Sequence, residues 1–254
     1  MVPAPFVVVV DANVLFPLTL RDTLLRAAAA SFYQLRWSRE ILDEMERNLV
    51  STGTMGADKA ARLRATMENY FPEAEVTGYS SLVGGLQNDE KDRHVVAAAV
   101  KAGAQVITTS NLKDFAPLPD GLEAQSPDEF LCNLFDLDPD GFVEMLHEQS
   151  ADLVKPPVTF DELLDRLGRR TRPRCCGPSQ RSGRFTLNAA VSTIVSMNQV
   201  DSRGQEWNQG DNPISLIPKS FRILAAERRA TSPYYDYAPS RVRIPSPALE
   251  FLEG

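Results

Sequence analysis

Histidine and cysteine are scarce in this 254-residue chain. Two histidines, His94 and His147, cannot build a His-rich zinc centre. The three cysteines are Cys132, Cys175 and Cys176. They form no CxxC pair, and neighbouring Cys175 and Cys176 do not suit a disulfide framework, so a reducing cytoplasmic setting is expected. No stretch approaches the ~20 apolar residues of a membrane span. The N-terminus lacks a basic n-region and its apolar run stops at an acid, unlike a secretory signal. Walker and GxGxxG loops are missing, as is a GxSxG elbow. Thr108, Thr109 and Ser110 therefore lack the setting of a hydrolase nucleophile.

What remains is an ordinary globular composition, 43% apolar and 24% charged. The net charge of −7 is unevenly spread. Residues 1–168 hold 27 acids against 14 bases, and residues 169–254 hold 7 against 13. This predicts an acidic body followed by a basic tail rich in Arg, Ser and Pro. The tail has no period and too little apolar surface to offset its ordering entropy, so it is expected to be mostly irregular. Only 189–195 and 216–226 look capable of local order. An acidic body is a poor general binder of nucleic acid. If it handles phosphates, cations must mediate.

Phe6–Val10 is short and β-branched, which predicts a buried strand. Helices are expected at about 20–31, from Ser38 to Leu49, at 57–70, at 92–102, at 128–135, at 139–152 and at 159–167. Further strands are expected near Tyr33–Trp37, Ala74–Tyr79 and Gln105–Thr109. Gly103 marks one helix end, and Pro127 and Pro139 stand near two helix starts. Strands alternating with helices argue for a parallel sheet with helices on both faces.

In such sheets ligands bind outside the carboxyl ends of the strands. Asp11 follows the first strand directly, and Asp114 follows the 105–109 strand. Asp89 and Asp92 bracket a helix start, and Glu44 lies in the helix after Ser38. Each has a plain structural explanation: Asp11 as a helix cap, Asp89 and Asp92 as acids at a helix N-terminus, Glu44 as a solvated acid beside Asp43 and Glu46, Asp114 as a turn residue. Helical phase does not choose Glu44 over Glu46. Carboxylates gathered together are stable mainly around a hard cation, and Mg²⁺ and Mn²⁺ prefer oxygen ligands. That chemistry serves phosphodiester hydrolysis. Arg21, Arg36, Arg39, Lys91, Arg93 and Lys113 are candidate phosphate contacts or ordinary surface charges.

Four segments carry a resemblance in order: Val9-Val10-Asp11-Ala12-Asn13-Val14-Leu15; Ser38 to Glu44; Asn88-Asp89-Glu90-Lys91-Asp92-Arg93-His94 with the alanines after it; and Val106 to Phe115 with its Asn111-Leu112-Lys113-Asp114-Phe115 turn. From about Val7 to Leu167 the chain resembles a PIN domain of the VapC toxin ribonuclease type. It is similar to the longer subgroup with added C-terminal helices. The resemblance implies a three-layer α/β domain over 1–168, with 169–254 as the tail. It implies an endoribonuclease whose Mg²⁺ or Mn²⁺ is held by Asp11, Glu44, Asp92 and Asp114. Asp89, Asn13 and Asn111 would support them. It further implies an RNA substrate, a small antitoxin partner from a toxin–antitoxin pair, and a family habit of dimerising.

Two other functions fit the residues themselves. One is a different metal-dependent phosphohydrolase or DNase. The other is a non-catalytic binding module whose acids only cap helices. For the tail, the alternatives are a basic arm on RNA, a partner-binding segment, or an extension without selected structure.

Overall fold

The computed structural model describes residues 6–171 apart from Lys155, together with Val191. The 189–195 stretch is thus described only at Val191, which is fully buried in the core. The other expectations for 172–254 lie outside the described residues.

Four short strands form one parallel sheet: β1 (Val7–Val10), β2 (Gln34–Arg36), β3 (Val106–Thr108) and β4 (Glu123–Gln125), in the order β2-β1-β3-β4. Val9 stands opposite both Arg36 and Ile107, and Val10 opposite Thr108. Val8, Val9 and Val10 are buried. A central parallel strand is covered on both faces, which is why it reads as an unbroken apolar run.

The flanking helices begin with α1 (Ala12–Leu15), α2 (Leu18–Ala29), α3 (Arg39–Ser51) and α4 (Ala57–Tyr70). They continue with α5 (Ser80–Val83), α6 (Arg93–Ala102), α7 (Pro127–Leu137), α8 (Pro139–Asp152) and α9 (Phe160–Thr171). Both expected proline starts are present at α7 and α8, where the missing N–H costs nothing. Gly103 closes α6 at φ 62, a left-handed conformation that glycine adopts readily. Among the described residues no helix is long and apolar enough to cross a membrane.

Two expectations are corrected. Residues 74–79 form no strand. They contribute the end of a 3-10 turn (Pro72–Ala74) and a single bridge from Trp37 to Glu75, because only Trp37 backbone pairs with this segment. The fourth strand lies instead at Glu123–Gln125, beside β3.

The start of α3 matters most for the site. Ser38 is fully buried, and its Oγ accepts from Ile41 N at 3.2 Å. Ile41, Leu42, Met45 and Leu49 then face the core. Ser38→Ala should lower stability by about 1 kcal/mol, read by urea unfolding, since it leaves a helix-end donor unpaired.

Candidate active site

β1 and β3 are adjacent and parallel, so their carboxyl ends open at the same edge. Asp11 occupies the position before α1, yet its side chain caps nothing. It turns across to β3. Thr109 Oγ1 donates to Asp11 Oδ2 at 2.7 Å, and Asn13 Nδ2 donates to the same oxygen. Asn13 also donates to Thr109 Oγ1 at 3.0 Å, and its Oδ1 accepts from Ser110 N at 2.9 Å. Asp11 is only 4% exposed. Burial first, with Glu44 and Asp92 adding repulsion, pushes its carboxyl up to about 6.

Asp92 precedes α6 and likewise makes no cap bond. Among the described residues its Oδ2 is buried without a hydrogen-bond partner; Lys91 Nζ stands off at 3.9 Å. Burial is the main cause raising its pKa, and the acids Asp114, Asp89 and Glu44 also raise it, against Lys91. An unpartnered buried carboxylate oxygen is costly, so it needs a cation or a proton.

Glu44 and Glu46, of which helical phase puts Glu46 somewhat closer to the apolar stripe, point to different neighbours. Glu46 Oε2 lies 3.2 Å from Arg64 Nη1 on α4, and Asp43 pairs with the same nitrogen. Glu44 instead lies within electrostatic reach of both Asp11 and Asp92.

Asp114 stands in a 3-10 turn, Leu112–Phe115. Its Oδ2 accepts from Lys91 Nζ at 3.0 Å and from Asn111 Nδ2. The Lys91 bond is the main cause that lowers its pKa. Asp89 is exposed and accepts from Lys91 N at 3.2 Å. The structure thus gathers Asp11, Glu44, Asp92 and Asp114 at one sheet edge, with Asn13 on Asp11, Asn111 on Asp114, and Asp89 at the rim. His94 Nδ1 lies 3.9 Å from Glu40 Oε2.

Two supporting residues escaped the sequence reading. Thr109 is fully buried and orients Asp11. Its only sequence signal was a hydroxyl at the carboxyl end of a strand. Asn88 is buried and donates to Phe115 O at 3.0 Å and Pro117 O at 2.8 Å. It ties the loop before Asp92 to the turn carrying Asp114.

The donor chemistry suits a hard divalent cation: oxygen ligands only, mutual repulsion, and one buried oxygen left without a partner. Lys91 already draws toward Asp92 and Asp114 as a partial neutraliser. Among the described residues no three of these groups come close enough to form a ready-made cage. The acids are neighbours in electrostatic range, and closing them on an ion requires side-chain adjustment.

Comparison with known proteins gives two family matches. The PIN domain model matches residues 7–113, and the VapC50 C-terminal domain model matches residues 127–176. The first span carries Asp11, Glu44 and Asp92 and ends one residue before Asp114; the second carries α7, α8 and α9. The chain is similar to a protein of Mycobacterium tuberculosis (strain ATCC 25618 / H37Rv) named "Putative ribonuclease VapC50", with 40% identity over 103 residues. That alignment covers 39% of this chain and 61% of the relative. No solved structure gives a significant match.

Proposed function

This chain belongs to the PIN-domain family, in its VapC branch, and on that premise we propose that it is a metal-dependent endoribonuclease, the toxin of a toxin–antitoxin pair. The observation that carries the reading is Asp11, a carboxylate buried at the carboxyl end of the central strand with Asp92 and Glu44 in electrostatic range.

Asp11, Glu44 and Asp92 would hold the ion, with Asp114 beside them and Asp89 at the rim. A bound Mg²⁺ or Mn²⁺ would supply Lewis acidity and an activated water for phosphodiester hydrolysis. Thr109 and Asn13 hold Asp11 Oδ2 in one orientation, so the first ligand needs little reorganisation. Asn111 does the same for Asp114. Lys91, 63% exposed at its side chain, carries a charge that can move from the acids to a substrate phosphate. RNA is the substrate in this reading, and a small antitoxin, a second copy of the chain and the cytoplasm are its partners and setting. Residues 1–168 would form the nuclease body and 169–254 an appended basic tail.

The different partners of Glu44 and Glu46 make a sharp test. Glu44→Gln should reduce Mn²⁺-dependent cleavage of a single-stranded RNA by about 10²-fold. Glu46→Gln should leave cleavage near the parent rate, since Glu46 is spent on Arg64. Equal effects would remove the assignment of Glu44. A parallel panel of DNA and small phosphoesters separates RNA cleavage from general phosphohydrolase activity. No cleavage and no Mn²⁺ stabilisation would return the chain to a binding module.

A further inference from the structure

A cleft of about 680 Å³ opens between the end of α1, the start of α2, the end of α3 and the α3–α4 turn. Phe16 and Met55 contribute apolar walls, Arg21, Lys59 and Arg62 contribute cations, and Asp58 an acid. Arg21 is the unusual member. It is 2% exposed, yet it lines an open cleft. Its Nη1 donates to Leu15 O at 2.7 Å and Phe16 O at 3.2 Å, the carbonyls at the end of α1. Among the described residues nothing accepts from its Nε or Nη2, and no carboxylate pairs with it. Its neighbour Asp22 is engaged by Arg26 at 3.3 Å. Burial draws the Arg21 pKa down to about 10, against the attraction of the neighbouring Asp22 carboxylate.

The opposite side of the cleft is the N-terminus of α4, a 14-residue helix. Gly56 precedes it and offers no side-chain cap. Open backbone N–H groups and the helix dipole favour an anion there. A buried guanidinium whose Nε and Nη2 find no acceptor among the described residues thus shares a cleft with an uncapped helix start and with exposed Arg62.

The cleft also adjoins the carboxylates. Asp11 leads through α1 to Phe16, and Glu44 leads along α3 to Leu49, which lines the cleft. Five residues of helix rise about 7.5 Å. We infer that this cleft holds a backbone phosphate of the RNA strand adjacent to the one being cut, with Arg21 and Arg62 as its cations and the α4 N-terminus as its dipole. The choice of RNA rests on the nuclease reading above.

The test uses the full chain carrying Asp11→Asn, which removes cutting, and a fluorescent 2′-O-methyl RNA hexamer. A Cβ at Gly56 meets nothing within 4 Å, and its φ of −70° suits any residue. Gly56→Asp therefore caps α4 and places a negative charge where the phosphate would sit. It should keep or raise Tm while raising Kd about 10-fold. Arg62→Ala should raise Kd about 3-fold and reduce the salt slope by about one. Inorganic phosphate should compete with the hexamer on the parent and lose that competition in Gly56→Asp. Unchanged Kd in both variants overturns the inference, as does a hexamer that the parent does not bind. If wild type cuts RNA and Gly56→Asp and Arg62→Ala, each made without Asp11→Asn, cut it with the wild-type KM, the cleft fails and the nuclease stands. If the variants lose hexamer binding while wild type cuts nothing, the cleft stands and the nuclease fails.

Discussion

Asp11→Asn should abolish RNA cleavage, by about 10³-fold or more, while leaving a better-folded protein. The two effects have one cause. In the absence of a cation the Asp11 carboxyl is held at about 6 against an ordinary 3.8. That difference is worth about 3 kcal/mol against the folded state at pH 7. The sign follows from linkage. The folded carboxyl holds its proton more tightly than the unfolded one. Its contribution is therefore best below pH 4, declines as pH rises from about 4 to about 6, and is level above. Asparagine keeps the shape, and its carbonyl can accept the Thr109 and Asn13 donors. Urea unfolding of both proteins from pH 4 to 7 isolates the residue, because Asp92 and the other acids are common to both. Wild type should lose stability relative to Asp11→Asn across that window. Mn²⁺ should restore stability to wild type and much less to the variant. A variant that cuts RNA at the parent rate would sink the assignment of Asp11.

Trp37→Ala should cost about 3–5 kcal/mol, the largest single stability loss expected here. Trp37 is fully buried, and its ring meets Phe71 edge-on at 5.9 Å between centroids. Its backbone N donates to Ala74 O at 2.9 Å, and its O accepts from Val76 N at 2.8 Å. It immediately precedes Ser38, so the cavity left by alanine loosens the segment that starts α3 and positions Glu44. Trp37→Phe should cost under about 1.5 kcal/mol, because among the described residues the indole Nε1 is buried without an acceptor and its loss removes an unpaired donor. Thermal unfolding of the pair provides the check. Similar losses in both variants would mean that ring volume is not what the site needs.

Several features were readable from local sequence. The β1 run, the Ser38 cap, the bounds of α4 at 57–70 and of α8 at 139–152 all follow from short-range physics: β-branching, a cap hydroxyl, apolar spacing, and proline at a helix start. The order of acids around Asp11 and Asp114 was also legible, because parallel strands bring their carboxyl ends to one edge whatever their neighbours are.

Other features required partners distant in the chain. β4 has three residues and no clear alternation; only pairing with β3 makes it a strand. Residues 74–79 carried strand-like chemistry but found only Trp37 to pair with. Helical phase set Glu46 slightly nearer the apolar stripe than Glu44, and only Arg64, some twenty residues on, showed that Glu46 is engaged elsewhere. Thr109 meets Asp11 across 98 positions. The sequence by itself determined which short segments become helix or strand and in what order the acids arrive, since those depend on neighbours within a few residues. Only the tertiary structure decided which acids face each other and, among the described residues, which oxygen of Asp92 stays unpaired and which arginine is buried with its Nε and Nη2 unclaimed. Desolvation and charge pairing depend on what is nearby in space, and spacing along the chain does not encode that.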